Sequence, residues 1–523
     1  MRKPSIALTA AVGAFTLLPL AAACGSAGGS SATTPAGAQS QNPSVLTIAS
    51  AIAPNSLNPA LGGSSDPQQY FFELDYDPLI GLNANGDYVP DLATTWGYVG
   101  SGNKTFDITL RAGVTFNDGS KLTAQDVKNS LEYYAKAGGP LAADLAAIGS
   151  IDVLSALELR INLKSADPMM PYYLSRPTTG DIISPIGLAS TGSLGTTTHG
   201  AGPYEVDAAA TVSGQTYTYV PNPTYWDKSS VHWKKVVIKV ITDPNATLDA
   251  LRSGEVDYAL GDASTAKAAN SAGFQVDTSP YSVMELLIMD RTGAMVKALG
   301  SLQVRQAMMY AIDRGQVASG LFGSYAKAWD ASVLQGNSGY TPALATAYSY
   351  DVTKAKQLLT AAGYPNGFKL PIIVNLTGVD EPEAAQAFAA EMANIGIDVQ
   401  IDVPANVTTL FATYTKYPAM MFDYGSGGNP PYAQGNDMLY SWANPFKVND
   451  PQLNSLYTTA ASATSPAVQE TAWQAFETQY NALDWNIPMF SLDKIIYARP
   501  GLGGINLSQQ NLNPDLADLY PSK

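Results

Sequence analysis

A chain of 523 residues, 46% of them hydrophobic, can build two or three domains with separate cores. Its formal charge of −15 excludes a basic nucleic-acid-binding surface and admits a cationic or amine-bearing ligand. Its single cysteine excludes an intramolecular disulfide, so core size must supply the stability.

Arg2 and Lys3 precede an apolar run over residues 6–20, and Ala21, Ala22 and Ala23 follow. A basic start, an apolar stretch and small residues form an export leader with a cleavage site. Gly13 and Pro19 interrupt the run, which falls short of the roughly 20 residues that span a bilayer. Cys24 stands directly after the alanines and resembles the lipobox of bacterial lipoproteins, with Ala21 where leucine is usual. The resemblance implies that residues 1–23 are a lipoprotein signal peptide removed before Cys24. It also implies that the Cys24 thiol takes a diacylglyceryl group and the new amino terminus is acylated, a palmitate-type anchor. The alternative is an ordinary cleaved leader with an incidental cysteine. Residues 25–43 hold no charge and no large apolar side chain. Such a segment cannot offset its ordering entropy, so the lipidated region 24–43 is expected to be a tether with a reach of roughly 25 Å.

Beyond the tether, strand and helix patterns alternate, which is the sign of an α/β fold. Residues 45–49 read as a first strand, and 105–110 alternate polar and apolar as a half-buried strand. Asn117-Asp118-Gly119-Ser120 is a tight turn. Thr123 and Asp126 open a helix that carries Val127, Leu131 and Tyr134 at helical spacing. Residues 152–163 again read as strand. The apolar run 236–241 predicts a strand covered on both faces. Asn245 starts a helix through Leu248 and Leu251 that Gly254 stops, and 255–259 resumes strand order. Val304, Met308, Ala311 and Ile312 form a helical stripe. Asp351 caps a helix through Ala355, Leu358 and Leu359 that Gly363 ends. Residues 384–395 predict another helix and 399–403 a strand. There is no internal repeat.

Catalytic motifs are lacking. The sequence has two histidines, His199 and His232, and no H-E-x-x-H, G-x-S-x-G, Walker-type loop or G-x-G-x-x-G after a strand. Cys24 is committed to anchoring. Asp126 is explained as a helix cap. The expectation is a protein that is not an enzyme, with no catalytic residue, no metal site and no cofactor.

An ordered series of short segments then points to a family. Asp77-Pro78-Leu79-Ile80-Gly81-Leu82 and Tyr88-Val89-Pro90-Asp91-Leu92-Ala93 come first, followed by Leu110-Arg111-Ala112-Gly113-Val114-Thr115-Phe116. Gly200-Ala201-Gly202-Pro203-Tyr204, Asn222-Pro223-Thr224-Tyr225-Trp226 and Leu251-Arg252-Ser253-Gly254-Glu255-Val256-Asp257 continue it. Val304-Arg305-Gln306-Ala307, Tyr310-Ala311-Ile312-Asp313-Arg314 and Ala362-Gly363-Tyr364-Pro365 close it. From about residue 54 to 490 the set resembles family 5 of the bacterial extracellular solute-binding proteins, the peptide- and nickel-binding receptors of ABC importers.

The resemblance implies a two-lobed periplasmic-binding-protein-like α/β fold, the large three-domain type II variant, with a cleft between lobes. Lobe I would comprise 44–79, 176–280 and 489–523, with an inserted domain at 80–175. Lobe II would span 281–488, and hinges would lie near 281–288 and 487–492. A zwitterionic peptide in a dry cleft needs a carboxylate for its ammonium group and donors for its carboxylate. Peptide-binding members hold the amino group with an Asp in an aromatic-x-x-Asp-Tyr motif. Asp423 and Tyr424 match that motif, while Met420 stands where its Trp would be; the alternative is that Asp423 is a loop residue or strand-end cap. Tyr70, Phe71 and Trp442 are further ligand-face candidates, the alternative for each being core or surface. No arginine matches a motif for the ligand carboxylate, although Arg176 is possible. The implied role is the lipid-anchored binding component of an ABC importer at the extracytoplasmic face of the cell membrane. It would work as a monomer, take a peptide or similar small polar solute, and deliver it to permease and ATPase subunits. The alternatives are an exported hydrolase and a receptor or sensor on the same fold without transport.

Overall fold

Long apolar runs make strands that bury nearly every residue, and the two longest strands among the described residues organise this molecule. Gln275–Ile288 buries its last seven residues, and Asn486–Ala498 is buried at every position but one. They pair antiparallel along most of their length, with register irregularities between Pro280 and Ser282 and between Met284 and Glu285. The computed structural model describes residues 44–522 apart from 64–65, 84, 140–141, 178, 377–380, 426–430, 464 and 510. All of these lie in one compact unit spanning 37–523. Cys24, the leader and the tether lie outside the described residues.

The two long strands sit in the middle of an eleven-stranded sheet. On one side of them come Tyr258–Leu260, Val45–Ser50, Lys235–Val240, Thr216–Pro221 and Tyr204–Val206. Val45–Ser50 runs parallel to both of its neighbours there. On the other side come Ala419–Tyr424, Lys369–Val374 and Asp398–Asp402, with Lys369–Val374 parallel to both its neighbours. Ala326–Ala328 pairs with Asn486–Ala498 off this path. Each half therefore has its own parallel strand–helix–strand units, and the long strands run through both. The helices Leu302–Tyr310, Arg314–Phe322, Val352–Ala361 and Glu381–Ala393 cover the second half around Met284, Leu286, Phe388 and Met421. The first half packs Leu46, Ile48, Tyr70, Phe71, Tyr219 and Trp233.

A separate four-stranded sheet, in the order Ala93–Tyr98, Thr105–Leu110, Glu158–Leu163, Ile148–Ser155, packs against the helix Ala124–Ala137. That helix starts where Thr123 and Asp126 predict: the Thr123 N–H donates to the Asp126 carboxylate over 2.9 Å. Gly138 ends it at φ 71°, a left-handed conformation that glycine adopts without strain.

Several sequence expectations change. Residues 152–163 are not one strand but the hairpin of Ile148–Ser155 and Glu158–Leu163. Its turn at Ala156-Leu157 carries no Gly, Pro, Asn or Asp to announce it. Lys235–Val240 is not covered on both faces. Val236 and Ile238 are fully buried, but Lys239 reaches outward to Glu255 at 2.8 Å. The strand expected at 255–259 begins at Tyr258. The helix expected from Asn245 is Pro244–Arg252, and its cap is the Asp243 carboxylate, which accepts from the Ala246 N–H at 2.8 Å.

Candidate functional site

A cleft of about 2330 Å³ opens between the two halves of the large sheet. It reaches the carboxyl ends of the parallel strands Lys369–Val374 and Ala419–Tyr424, at Asn375, Leu376 and Asp423 to Gly425. Open α/β sheets bind ligands at that edge. Tyr281, Ser282, Asp493 and Lys494 of the two long strands line it between the halves. Among the described lining residues thirteen are carboxylates and two, Arg176 and Lys494, are cations. A cavity walled this way favours a positively charged group by several-fold in local concentration.

The strand Ala419–Tyr424 builds one wall. Met420, Phe422 and Tyr424 pack on the core that includes Met438 and Leu439 of the helix Pro431–Tyr440. The Tyr424 hydroxyl donates to Asp437 Oδ2 at 3.2 Å. Burial pushes the Asp437 carboxyl up to about 6, against the donors of Tyr424, Trp442 and Ser441, which favour its charged form. Trp442 stands edge-on to Phe422 with centroids 5.5 Å apart. Across the cleft, Arg176 pairs with Asp144 at 3.5 Å and lies 5.0 Å from the Tyr172 ring centroid. The Asp144 charge adds to the upward push on Asp437.

The expected site residues divide. Asp423, Tyr424 and Trp442 all line the cleft. Asp423 is half-buried and opposite Met284 of the long strand. Tyr70 and Phe71, the other two expected ligand-face aromatics, are not among the residues lining the cleft. Both are wholly buried: Tyr70 sits 6.3 Å from Tyr258, and Phe71 sits 4.8 Å from Tyr217. The polar neighbours Gln68, Gln69 and Glu73 face the cleft instead. Sequence reasoning missed Asp437, Ser282 and Lys494. For Lys494 a signal existed, since a lysine within the apolar run of Asn486–Ala498 must have a reason to be there.

A second acidic group lies at Asp77 and Asp91. Trp226 Nε1 donates to Asp77 at 2.7 Å and the Tyr225 hydroxyl at 3.3 Å. Burial raises the Asp77 carboxyl well above the usual range and lifts Asp91 to about 7. The Arg111 guanidinium lies 3.9 Å from the Trp226 ring centroid.

The histidines occupy separate places. His232 packs against Tyr520 at 5.8 Å. His199 Nδ1 lies 3.5 Å from Asp118, whose carboxylate also accepts from Ser184 Oγ. Ser184 Oγ in turn accepts from the Gly187 N–H at 3.0 Å, so it caps a short helix. Asp118 stands between hydroxyl and imidazole, an order that gives the serine no imidazole base. Among the described residues no group of three or more His, Cys, Asp or Glu could hold a metal, and no helix is long and apolar enough to cross a membrane.

A model of the bacterial extracellular solute-binding proteins, family 5 (middle region), matches residues 87–447. A putative ABC transporter peptide-binding protein of Brucella ovis is 27% identical over 398 residues, which covers 72% of this chain and 74% of the relative. The nickel-binding periplasmic protein of Escherichia coli K12 is 28% identical over 386 residues, 69% of this chain and 71% of the relative. In three dimensions the chain is similar to the PBP AgaA of A. tumefaciens R10, solved in complex with agropinic acid. The TM-score is 0.79 at 22% identity, with 92% of this chain and 99% of the other covered. The fold is the two-lobed α/β fold of periplasmic binding proteins.

Proposed function

This chain belongs to the bacterial extracellular solute-binding proteins of family 5, and from that premise we propose that it is the binding component of an ABC importer. Its solute is a peptide or another small polar molecule bearing an amine, and it hands that solute to membrane permease and ATPase subunits. The observation that carries this reading is the acid-walled cleft, lined from both halves of the sheet and crossed by two shared strands. Aromatic rings at Tyr172, Tyr424 and Trp442 line the same space, and aromatic faces attract ammonium groups. Asp423 and Asp437 are the carboxylates for the ligand amine. Closure of the cleft is driven by ligand contacts made in the closed state alone.

The domain partition proposed with this function is lobe I at 44–79, 176–280 and 489–523, an inserted domain at 80–175 and lobe II at 281–488. The hinge segments near 281–288 and 487–492 fall on the strands Gln275–Ile288 and Asn486–Ala498. The protein works as a monomer and turns nothing over. Ser184, which donates to the Asp118 of the His199–Asp118 pair, is wholly buried and serves as a helix cap, which speaks against its use as a hydrolase nucleophile. Cys24 carries the lipid anchor that holds the protein at the extracytoplasmic face of the membrane.

Calorimetric titration with trialanine, followed by mass analysis of the mixture, tests this reading. The expected result is saturable binding with the peptide recovered intact. Absence of binding across peptides of two to five residues would exclude a peptide as the solute, and cleavage of the peptide would contradict the reading as a whole.

A further inference from the structure

The margin of the cleft carries a contact that neither long strand makes. Tyr432 and Ala433, in the first turn of the helix Pro431–Tyr440, pack against the apolar core of the four-stranded sheet, which also holds Phe106, Met170 and Tyr173. Tyr432 packs at the same time against the core of its own half, where it stacks on Tyr457 with ring centroids 5.1 Å apart. One ring thus touches two separate cores. Burial, and after it the charge of Asp167, raises the Tyr432 hydroxyl, which sets that aspartate close to the ring.

Asp167 leads to a second, polar contact. Its N–H donates to the Asn103 carbonyl at 3.0 Å, and the Asn103 side-chain amide donates to the Ala461 carbonyl at 3.4 Å. Ala461 lies in the last turn of the helix Pro451–Ser462, where the final carbonyls have no partner inside the helix. Asn103 holds φ at 48°, a left-handed conformation that asparagine adopts more readily than most residues. The Tyr98 hydroxyl donates to the Asp167 carbonyl at 2.6 Å and accepts from the Met170 N–H at 3.0 Å. The two loops of the four-stranded sheet are therefore tied to each other before they meet the helices, which lowers the ordering cost of the meeting.

Both sides of this contact also line the cleft, with Tyr172 and Tyr173 on one and Ala433 and Asp437 on the other. The long strands join the halves of the molecule covalently. The contact at Tyr432 and Asn103 joins them without a covalent link, so it must part when the cleft opens. We propose that Tyr432 and Asn103 form a clasp that holds the cleft closed and sets how slowly the solute leaves. The inference rests on the solute-binding reading and deepens it. The clasp favours the closed form through contacts of the protein with itself, with or without a solute. A bound solute leaves only after the clasp parts. A weaker clasp therefore shortens its residence and leaves its encounter with the open form unchanged.

Stopped-flow kinetics with trialanine test the clasp in two variants. Tyr432→Ala takes the ring away from both cores. Asn103→Gly deletes the amide and keeps the left-handed backbone, which glycine adopts without strain, so it serves where Tyr432→Ala fails to fold. Tyr432→Ala should speed trialanine dissociation at least tenfold and Asn103→Gly several-fold, each with the wild-type association rate. Wild-type dissociation rates in the folded variants overturn the clasp and leave the solute-binding reading intact. If trialanine does not bind the wild-type protein, the peptide reading fails alone, and small-angle X-ray scattering of the ligand-free proteins decides the clasp. A larger radius of gyration in the Tyr432→Ala, Asn103→Gly double variant than in wild type supports it, and an unchanged radius overturns it.

Discussion

Tyr424, the last residue of a central strand, donates its phenolic hydroxyl to Asp437 across 3.2 Å and so fixes a half-buried carboxylate on the wall of the cleft. Burial opposes the charge on Asp437, and the donors from Tyr424, Trp442 and Ser441 support it. The balance leaves the carboxyl at about 6, so it is mostly ionised at neutral pH and lost as a counter-ion in mild acid.

Binding of an amine-bearing solute should therefore weaken as pH falls through about 6. Tyr424→Phe removes a donor to the charged form, which raises the Asp437 carboxyl further. The loss of affinity should then begin at higher pH, and near neutrality it should amount to at most about 1.5–3 kcal/mol, the usual worth of a hydrogen bond to a charged group. Calorimetric affinities for trialanine between pH 5 and 8 for both proteins check this. Superimposable profiles would remove the Tyr424–Asp437 pair from the site.

Asp423→Ala should weaken binding of the free-amine peptide by about 1.5–3 kcal/mol, the scale of a charge-assisted hydrogen bond. The N-acetylated peptide should be little affected. An unchanged calorimetric affinity for trialanine would take Asp423 out of the ligand's reach.

Phe71→Ala should act on stability rather than recognition. The ring is fully buried against Tyr217, and truncating such a residue costs about 3–5 kcal/mol. Thermal unfolding should show a much lower midpoint, and the folded fraction should keep its affinity for trialanine.

Glu285 gives the fold a pH dependence of its own. It is wholly buried on a long strand and accepts from Ser332 Oγ at 2.8 Å and from Asn486. Burial pushes its carboxyl up to about 8. The folded state thus holds a proton that an unfolded carboxyl, near 4.3, gives up. Stability must fall as pH rises from about 4 to 8, because the unfolded state binds fewer protons there. Glu477, also buried and lifted to about 8, adds in the same direction. Glu285→Gln should flatten this slope in denaturant titrations at pH 5, 7 and 8.5. A slope equal to wild type would show that Glu285 is charged in the fold.

Much of the fold was legible from residue patterns, because its signals are local. The helix at Ala124–Ala137 follows from Thr123 and Asp126, which satisfy its end within four residues. The hairpin at Ile148–Ser155 and Glu158–Leu163 was not legible, since Ala156 and Leu157 carry no turn chemistry and the pairing alone creates the turn. The site was legible in part. Asp423 and Tyr424 stand in a recognisable motif at a strand end. Asp437 sits among polar residues of an ordinary helix and acquires meaning only when folding brings Tyr424 onto it. Tyr70 and Phe71 lie in the core of the first half, and sequence alone does not separate that place from a ligand face, because an aromatic side chain serves both equally well.

The anchor has its own test. Cys24→Ser should release the protein from membranes into the soluble fraction while leaving its affinity for trialanine unchanged. Persistent membrane attachment would contradict lipidation at Cys24.

The most direct measurement of the central claim is native mass spectrometry of the protein purified from its own host, with the bound molecule then released and identified. The account predicts one intact small organic solute per chain, carrying an amine. Recovery of cleaved fragments, or of a solute with no cationic group, would contradict it.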